Sequence, residues 1–520
     1  MTDVLLGQSY YLRFDPKLWD AMQPYPPLGT LYAAALLRQR GYDVALFDAM
    51  LAESEDEWAA ALDKYRPRFA VLFEDNFNYL SKMCLLRMRE AAFRMTEMAK
   101  ARGCVVIVAG ADATDHSALY FQQGADYALL GEGEVTLLEA LDQLTGRGAG
   151  SLDAIAGLAR PGDAGGVRQG PPRPLLRDLD SLPFPAWDLV DVPAYRRLWQ
   201  ARHGYFSMNM VTTRGCPYHC NWCAKPIWGQ RYNVRSPQNV IAELQWLKAT
   251  YAPDHIWFVD DILGLKPGWL EQFGQLAQAT QTVIPFKCLL RVDLVKDSVV
   301  EALARAGCET VWVGAESGSQ RILDAMDKGT TVQQIYAATE KLHRAGIAVG
   351  FFLQFGYPGE DRADIEATLR MVRDCAPDDI GMSVSYPLPG TKFYERIRLQ
   401  LGDKQNWQDS ADLAMLYRGP YSTEFYRQLH TVLHKEFRAR RAWRALRDPA
   451  GRRLVAAEVS TRRAAQPVWR QAATVAYHTA TLPWARRRLA RLARQSPPGI
   501  GALPTVMSAE AAATPSAQSE

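Results

Sequence analysis

"YFSMNMVTTRGCPYHCNWC", residues 205–223, runs from an apolar stretch straight into three cysteines. The apolar half reads as a strand, and the Arg-Gly pair at 214–215 marks its turn into a loop. Cys216, Cys220 and Cys223 fall within eight positions, and the next cysteine is Cys288. Thiolates grouped this tightly select zinc or an iron–sulfur cluster. A structural zinc site closes with four ligands, but here the local sequence offers three thiols and His219, which as the neighbour of Cys220 is poorly placed to share its ion. A three-thiolate cubane, by contrast, leaves one iron open.

Downstream, the strand pattern recurs as "IWFVDD", "PFKCLLR", "TVWVGAES", "AVGFFLQFG" and "DIGMSVSYP", with a helical pattern after nearly every strand. Ser236 caps one such helix, with proline in its first turn and Val240, Ile241, Leu244 and Leu247 along one stripe. Six strand–helix units predict an incomplete barrel over 205–398 rather than a closed eight-stranded one. Cys288 and Cys308 read as small buried hydrophobes within it.

Upstream, "DVLLG", "DVALF", "FAVLFE", "CVVIVAG" and "DYALLG" alternate with helical stretches, which predicts an α/β, Rossmann-like, doubly wound domain over 1–148. Ligands of such sheets sit beyond the carboxyl ends of the strands. That places Gly7, Gln8 and Ser9, Asn76, Gly110, Thr114, and Gly131-Glu132-Gly133-Glu134 at a ligand face. His116 reads as a surface loop residue. Residues 149–204 are rich in proline and glycine and read as a connector.

With 48% hydrophobic and 22% charged residues and a net charge of +3, the 520-residue chain has an ordinary soluble composition. Its eight cysteines are irregularly spaced, no signal-peptide pattern opens the chain, and no apolar run approaches the ~20 residues of a membrane span. A cytoplasmic location is expected. The basic residues concentrate at 399–495: between Lys435 and Arg494 the only acids are Glu436, Asp448 and Glu458. As a helix, "PWARRRLARLAR" puts Ala485, Leu489 and Leu492 on one side and Arg487, Arg491 and Arg494 on the other. This fits either a surface helix drawn to anionic lipid at the inner face of the membrane or a helix packed on the barrel. Aromatic interleaving is sparse, so nucleic acid is not expected. Residues 496–520 read as a disordered tail.

The Cys216-x3-Cys220-x2-Cys223 pattern, with Trp222 before the last cysteine, resembles the radical S-adenosylmethionine (SAM) superfamily. The resemblance implies a 4Fe-4S cluster on these three cysteines, SAM chelated by the open iron, and a 5'-deoxyadenosyl radical as the product of SAM cleavage, with an external flavodoxin- or ferredoxin-type electron donor. "GAESGSQRIL" resembles the family's fourth-strand motif, implying SAM contacts for Glu316 and Ser317. "FVDD" resembles the end of its second strand, implying the same for Asp260 and Asp261, and Arg291 ends the third. Arg291 pairing only with Asp293 or Glu316 is an equal reading of that residue.

"PYPPLGTLYAAALLRQRGYDVALFDA", which contains Gly29, and "GADYALLGEGEVTLLEAL" resemble the cobalamin-binding domain of cobalamin-dependent radical SAM enzymes. The Asp-x-His-x-x-Gly motif of many cobalamin domains is absent, so the resemblance implies a cobalt held by loop contacts and burial. "FYRQLHTVLHKEFRARRAW" resembles the subgroup containing the anaerobic magnesium-protoporphyrin monomethyl ester oxidative cyclase and hopanoid-modifying enzymes, which act on large, apolar small molecules. The function implied is modification of an unactivated carbon, chiefly by methyl transfer through methylcobalamin. Oxidative cyclisation or rearrangement, and a cobalamin and iron–sulfur sensor, are the alternatives.

Overall fold

The computed structural model describes residues 2–83, 85–223, 227–447 and 467–495. Its first sheet has the strand order β2-β1-β3-β4-β5-β6-β7. Strands β1 (Val4–Gly7), β2 (Val44–Leu46), β3 (Phe69–Phe73), β4 (Val105–Ala109) and β5 (Tyr127–Leu129) coincide with the apolar runs of the sequence and run parallel. Successive strand residues face opposite sides, and helices cover both. Leu5, Leu72 and Val106 pack with Trp58, Leu62 and Met95 on one side. Val4, Leu6, Val71 and Ile107 pack with Ala34, Leu37, Leu137 and Leu141 on the other. The order reverses between β1 and β3, so their carboxyl ends flank the crevice where such sheets bind ligands.

The stretch expected to be a plain connector has structure of its own. Strands β6 (Leu158–Pro161) and β7 (Val167–Gln169) extend the first sheet in antiparallel fashion. The helix Val192–His203 follows, capped by Asp191 and with proline in its first turn. Its buried Trp199 donates from Nε1 to the Pro24 carbonyl at 2.7 Å, which ties this segment back to the first domain.

The second sheet is an open half-barrel of six parallel strands in chain order: β8 (Ser207–Met210), β11 (His255–Phe258), β12 (Phe286–Leu290), β13 (Cys308–Glu316), β14 (Ala348–Phe355) and β15 (Asp379–Val384). Cys288 and Cys308 are buried on its neighbouring strands, with their sulfurs 4.0 Å apart. A two-stranded ribbon, β9 (Thr213–Arg214) against β10 (Asn233–Val234), pinches off the loop that carries the cysteines.

Beyond the barrel, the helices Thr423–Arg447 and Val468–Gln495 pack side by side. Gln428 Nε2 donates to the Ala485 carbonyl at 2.9 Å, and Arg486 bonds Glu436 at 2.7 Å. Ala485 is fully buried, and Leu489 and Leu492 are partly buried against the core. The apolar side read from the sequence is therefore the side turned to the protein. Asp448, Glu458 and the 496–520 tail lie outside the described residues.

Candidate active site

The cysteine loop is fixed at its base and at its centre. Gly215 has φ +83°, and a Cβ there would stand 2.4 Å from the Arg231 carbonyl oxygen, so the residue before Cys216 must be one free of a side chain. Asn221 is buried and almost fully hydrogen-bonded. Its N–H donates to the Met326 carbonyl at 3.0 Å, its Nδ2 to the Ala325 carbonyl at 2.8 Å, and its Oδ1 accepts from the Tyr357 hydroxyl at 2.9 Å. Cys223 N–H closes a turn onto the Cys220 carbonyl at 3.2 Å. The three thiols are partly exposed and outside any disulfide.

Two cations act on Cys220. Arg291 lies with its guanidinium 3.6 Å from the Tyr218 ring centroid and donates from Nη1 to Cys220 Sγ at 3.7 Å. The same group bonds Asp293 at 3.0 Å and the Lys328 carbonyl at 2.9 Å. Pairing with Asp293 and contact with the cysteine loop are thus simultaneous. Lys328, buried, donates to Glu316 Oε1 at 2.8 Å. Burial works against its charge, but Glu316 and Cys220 outweigh that and raise its pKa. Glu316 adopts φ +55° where the β13–β14 register slips, and such strained backbone concentrates at working sites. Gly314 makes room: a Cβ there would stand 2.6 Å from Lys328 Nζ. Trp222 lies under the same ammonium, 5.9 Å from ring centroid to Nζ, and its buried Nε1 has no hydrogen-bond partner among the described residues.

This donor set fits an iron–sulfur cluster. Among the described residues no three His, Cys, Asp or Glu side chains converge on a point as the ligands of one ion would. Each thiolate of a cubane binds a different iron, so its ligands stand apart at separate corners.

Other expected contacts are occupied within the protein. Asp260, buried, accepts from Thr212 N, Thr213 N and Thr212 Oγ1, each at 2.7 Å. Burial pushes its carboxyl up to about 6 against these bonds. It braces the strand that enters the cysteine loop. Asp261 pairs with Lys82 of the first domain at 2.6 Å. Ser317 Oγ bonds Thr368 Oγ1 at 3.2 Å and accepts from Ser319 N at 3.1 Å.

At the first-domain crevice, Glu74 accepts Ser9 N–H at 3.0 Å, joining the ends of β1 and β3. Asp75 accepts Gly29 N–H at 3.0 Å. Thr114 Oγ1 donates to the Gly110 carbonyl at 2.8 Å and accepts from Gly131 N–H at 3.1 Å. Gly7 lies against Trp58, and Gly133 against Phe73. The side-chain Nε2 of Gln8 and Oδ1 of Asn76 are buried with no partner among the described residues. Buried polar groups are almost always hydrogen-bonded, so orphaned amides point to a polar ligand or ordered water. The corrin ring of cobalamin is edged with carboxamides, which matches such a pair. His116 is not on a loop. It sits at a kink of the helix Ala111–Gln122, 3.9 Å from Asp112.

Glu132 and Glu134, expected at the ligand face, instead hold Arg214 at 2.6 and 2.8 Å with all three side chains buried. The guanidinium also lies 5.4 Å from the Phe77 ring centroid and 5.9 Å from that of Trp228. This ion triad fastens the start of the cysteine loop to the end of the first sheet. Neither Lys328 nor this use of Arg214 follows from local spacing, because both partners are distant in sequence.

Residues 210–372 match the family described as the Radical SAM superfamily. The barrel is a radical SAM domain. Over the wider chain, an uncharacterised methyltransferase of Pyrococcus horikoshii is 29% identical over 378 residues, 71% of this chain and 78% of the relative. The anaerobic magnesium-protoporphyrin IX monomethyl ester cyclase of Rubrivivax gelatinosus is 25% identical over 393 residues, 73% of this chain and 67% of the relative. Among solved structures, the radical SAM methyltransferase TsrM of Kitasatospora setae, with cobalamin and a [4Fe-4S] cluster bound, superposes with a TM-score of 0.63 at 19% identity over 77% of this chain and 75% of that one. The cobalamin-dependent radical SAM enzyme OxsB superposes at 0.60 and 19% over 72% and 52%. The fold likeness thus extends beyond the radical SAM domain.

Proposed function

We propose that this chain is a cobalamin-dependent radical SAM enzyme that methylates an unactivated carbon of a small molecule. Cys216, Cys220 and Cys223 would hold the 4Fe-4S cluster, and the Gln8 and Asn76 amides would meet the corrin edge. When bound, the cluster and SAM supply a 5'-deoxyadenosyl radical and cobalamin supplies the methyl group. The chain's residues do the positioning. Arg291 and Lys328 would offset the negative charge of the bound cluster and offer donors to a carboxylate of SAM. Glu316 offers an acceptor for an amino group. Arg214 and Lys82 hold the crevice of the first domain over the barrel mouth, which keeps water from the reacting carbon.

The observation that carries this reading is the seat of the cysteine loop, flanked by two buried cations and bolted by Arg214 to the strand ends of a 2-1-3-4-5 sheet. The methyltransferase name of the Pyrococcus relative and the cofactors of TsrM support it. The test is anaerobic reconstitution with SAM, cobalamin and a one-electron donor, followed by product analysis. Methylated product with S-adenosylhomocysteine is expected. The cyclase name of the Rubrivivax relative favours a second reading, oxidative cyclisation, for which 5'-deoxyadenosine without methylation is the signature. Neither product would indicate a sensor and end both readings. Replacing any of the three cysteines by Ala should abolish the cluster's visible absorption and SAM cleavage together.

No helix of the described residues is long and apolar enough to cross a membrane. We also propose peripheral contact with anionic lipid, through the basic side of the last helix and not its apolar side, which is turned to the protein. Trp469, Tyr477 and Trp484 are exposed along the outer side of the last helix, beside Arg470, Arg487, Arg488 and Arg491. Aromatic and basic side chains on one face suit a bilayer surface. Cosedimentation with vesicles containing phosphatidylserine, lost in a Trp469→Ala/Trp484→Ala variant, is the expected result.

A further inference from the structure

The half-barrel has an inner face that the proposed chemistry does not use. On β12, Phe286, Cys288 and Leu290 are buried against the outer helices, while Lys287 and Leu289 between them are only partly covered. The same alternation leaves Trp312 on β13 half-buried and Phe352 on β14 exposed, and Phe352 retains 41% of its surface although it lies in mid-strand. The Trp312 and Phe352 rings lie with centroids 4.8 Å apart. They rest flat on the sheet because the neighbouring strands carry glycine: a Cβ on Gly350 would stand 2.4 Å from the Trp312 ring, and one on Gly381 would touch both rings at 3.5 and 3.6 Å. The sequence thus removes two side chains to lay down an apolar floor.

Lys287 stands at the end of this floor, paired across the sheet with Trp257 on one side and Thr310 on the other. Its ammonium lies over the Trp257 ring at 4.5 Å and over Tyr25 at 5.5 Å. Among the described residues it has no hydrogen bond, and no carboxylate lies within ion-pair distance. Asp379 acts on it only through space, and burial lowers its pKa to about 8. A partly buried cation without an anion, set beside a partly exposed aromatic floor, is complementary to a ligand that supplies an anion and a flat apolar surface.

We propose that Lys287 and the Trp312–Phe352 floor form a substrate subsite, which takes the anionic group, carboxylate or phosphate, of a flat apolar molecule. This rests on the enzyme reading above and adds a substrate class to it. Trp257 and Tyr25 hold the ammonium in place by cation–π contact, and Lys287 sets the orientation of the ligand without taking part in the chemistry.

Two probes of the same ring system test this. 8-Anilinonaphthalene-1-sulfonate carries an anion, and N-phenyl-1-naphthylamine is its neutral counterpart. Both are titrated into the anaerobically reconstituted full chain, whose SAM cleavage is measured on the same preparation. The sulfonate should bind at least tenfold more tightly than the amine. Lys287→Met should erase that preference by weakening the sulfonate alone, Lys287→Arg should keep it, and Phe352→Ala should weaken both. Equal response of the two probes to Lys287→Met, or no response, overturns the subsite. If Lys287→Met does not fold, reductive methylation of the wild-type chain decides: Lys287 should be protected by the sulfonate and not by the amine, and equal labelling overturns the proposal. A protein that cleaves SAM without probe preference removes the subsite alone, whereas preference without SAM cleavage removes the enzyme reading alone.

Discussion

Replacing Arg214 by Met should be among the most damaging single changes outside the cysteines. The side chains of Arg214, Glu132 and Glu134 retain only 2%, 6% and 7% of their exposure. Burial works against the Arg214 charge, and Glu134 and Glu132 more than restore it. Taking the guanidinium away leaves two carboxylates facing each other without a counter-charge. Breaking a buried pair from one side costs roughly 3–5 kcal/mol, and at about 2–4 °C per kcal/mol for a domain of this size the midpoint should fall by about 10 °C.

The charge origin of that loss gives it a pH signature. Burial already raises the Glu132 carboxyl and Arg214 opposes this; with the guanidinium gone, the fold binds more protons at Glu132 than the unfolded chain and loses stability as pH rises. The gap between wild type and variant should therefore be small near pH 5 and widen towards pH 7.5. Adding Glu132→Gln and Glu134→Gln should recover most of the loss at neutral pH, since the neutral amides need no cation. Thermal unfolding followed by near-ultraviolet circular dichroism at both pH values reads each term. A loss under about 1 kcal/mol, a gap that does not change with pH, or no rescue by the Gln pair would refute the triad as a buried ionic bolt.

Other residues carry separate expectations. Burial pushes the Glu74 carboxyl up to about 7, with the Ser9 bonds opposing, so the fold should lose about 3 kcal/mol as pH rises from roughly 4.5 to 7. Glu74→Gln should flatten that slope in denaturant titrations. Asp260→Ala removes the acceptor shared by Thr212 and Thr213 and should cost about 1–3 kcal/mol while leaving the KM for SAM unchanged; a raised KM would restore Asp260 to the cofactor site. Lys287 loses its proton as pH rises through about 8, and binding of the anionic probe should fall over that range while the neutral probe holds. Asp379 and Tyr25 are the ionisable neighbours facing it.

The pattern of legibility follows from the range of the interactions. Strands announced themselves because a parallel strand buried on both faces must be apolar throughout, as "FAVLF" at β3 is. The cysteine triad was legible because its ligands lie on one short loop. β6 and β7 leave no mark in the sequence because an edge hairpin can be short and polar: Arg168 and Gln169 carry no apolar signal. Asp260 and Glu132 read as cofactor contacts in the sequence because an acid at a strand end looks the same whether it meets a ligand or a neighbour. Only the fold shows that Thr212 N and Arg214 arrive first.

The same limit applies more strongly to Lys287 and Lys328. Each is one lysine in an unremarkable stretch, "FKCLL" or "MDKGT", and each matters through partners from other elements. Lys328 reaches Glu316 only because Gly314 lacks a side chain. Lys287 meets Trp257 only through strand register, and its other neighbour, Tyr25, comes from the first domain. Sequence spacing encodes contacts within one loop or helix face, whereas a cation left without an anion is a property of the assembled barrel. The cysteine pattern can therefore state which chemistry is available to this chain. The choice of substrate lies in residues whose roles arise from the folded barrel, which is why the Lys287 measurement discriminates among substrates where the cysteine variants do not.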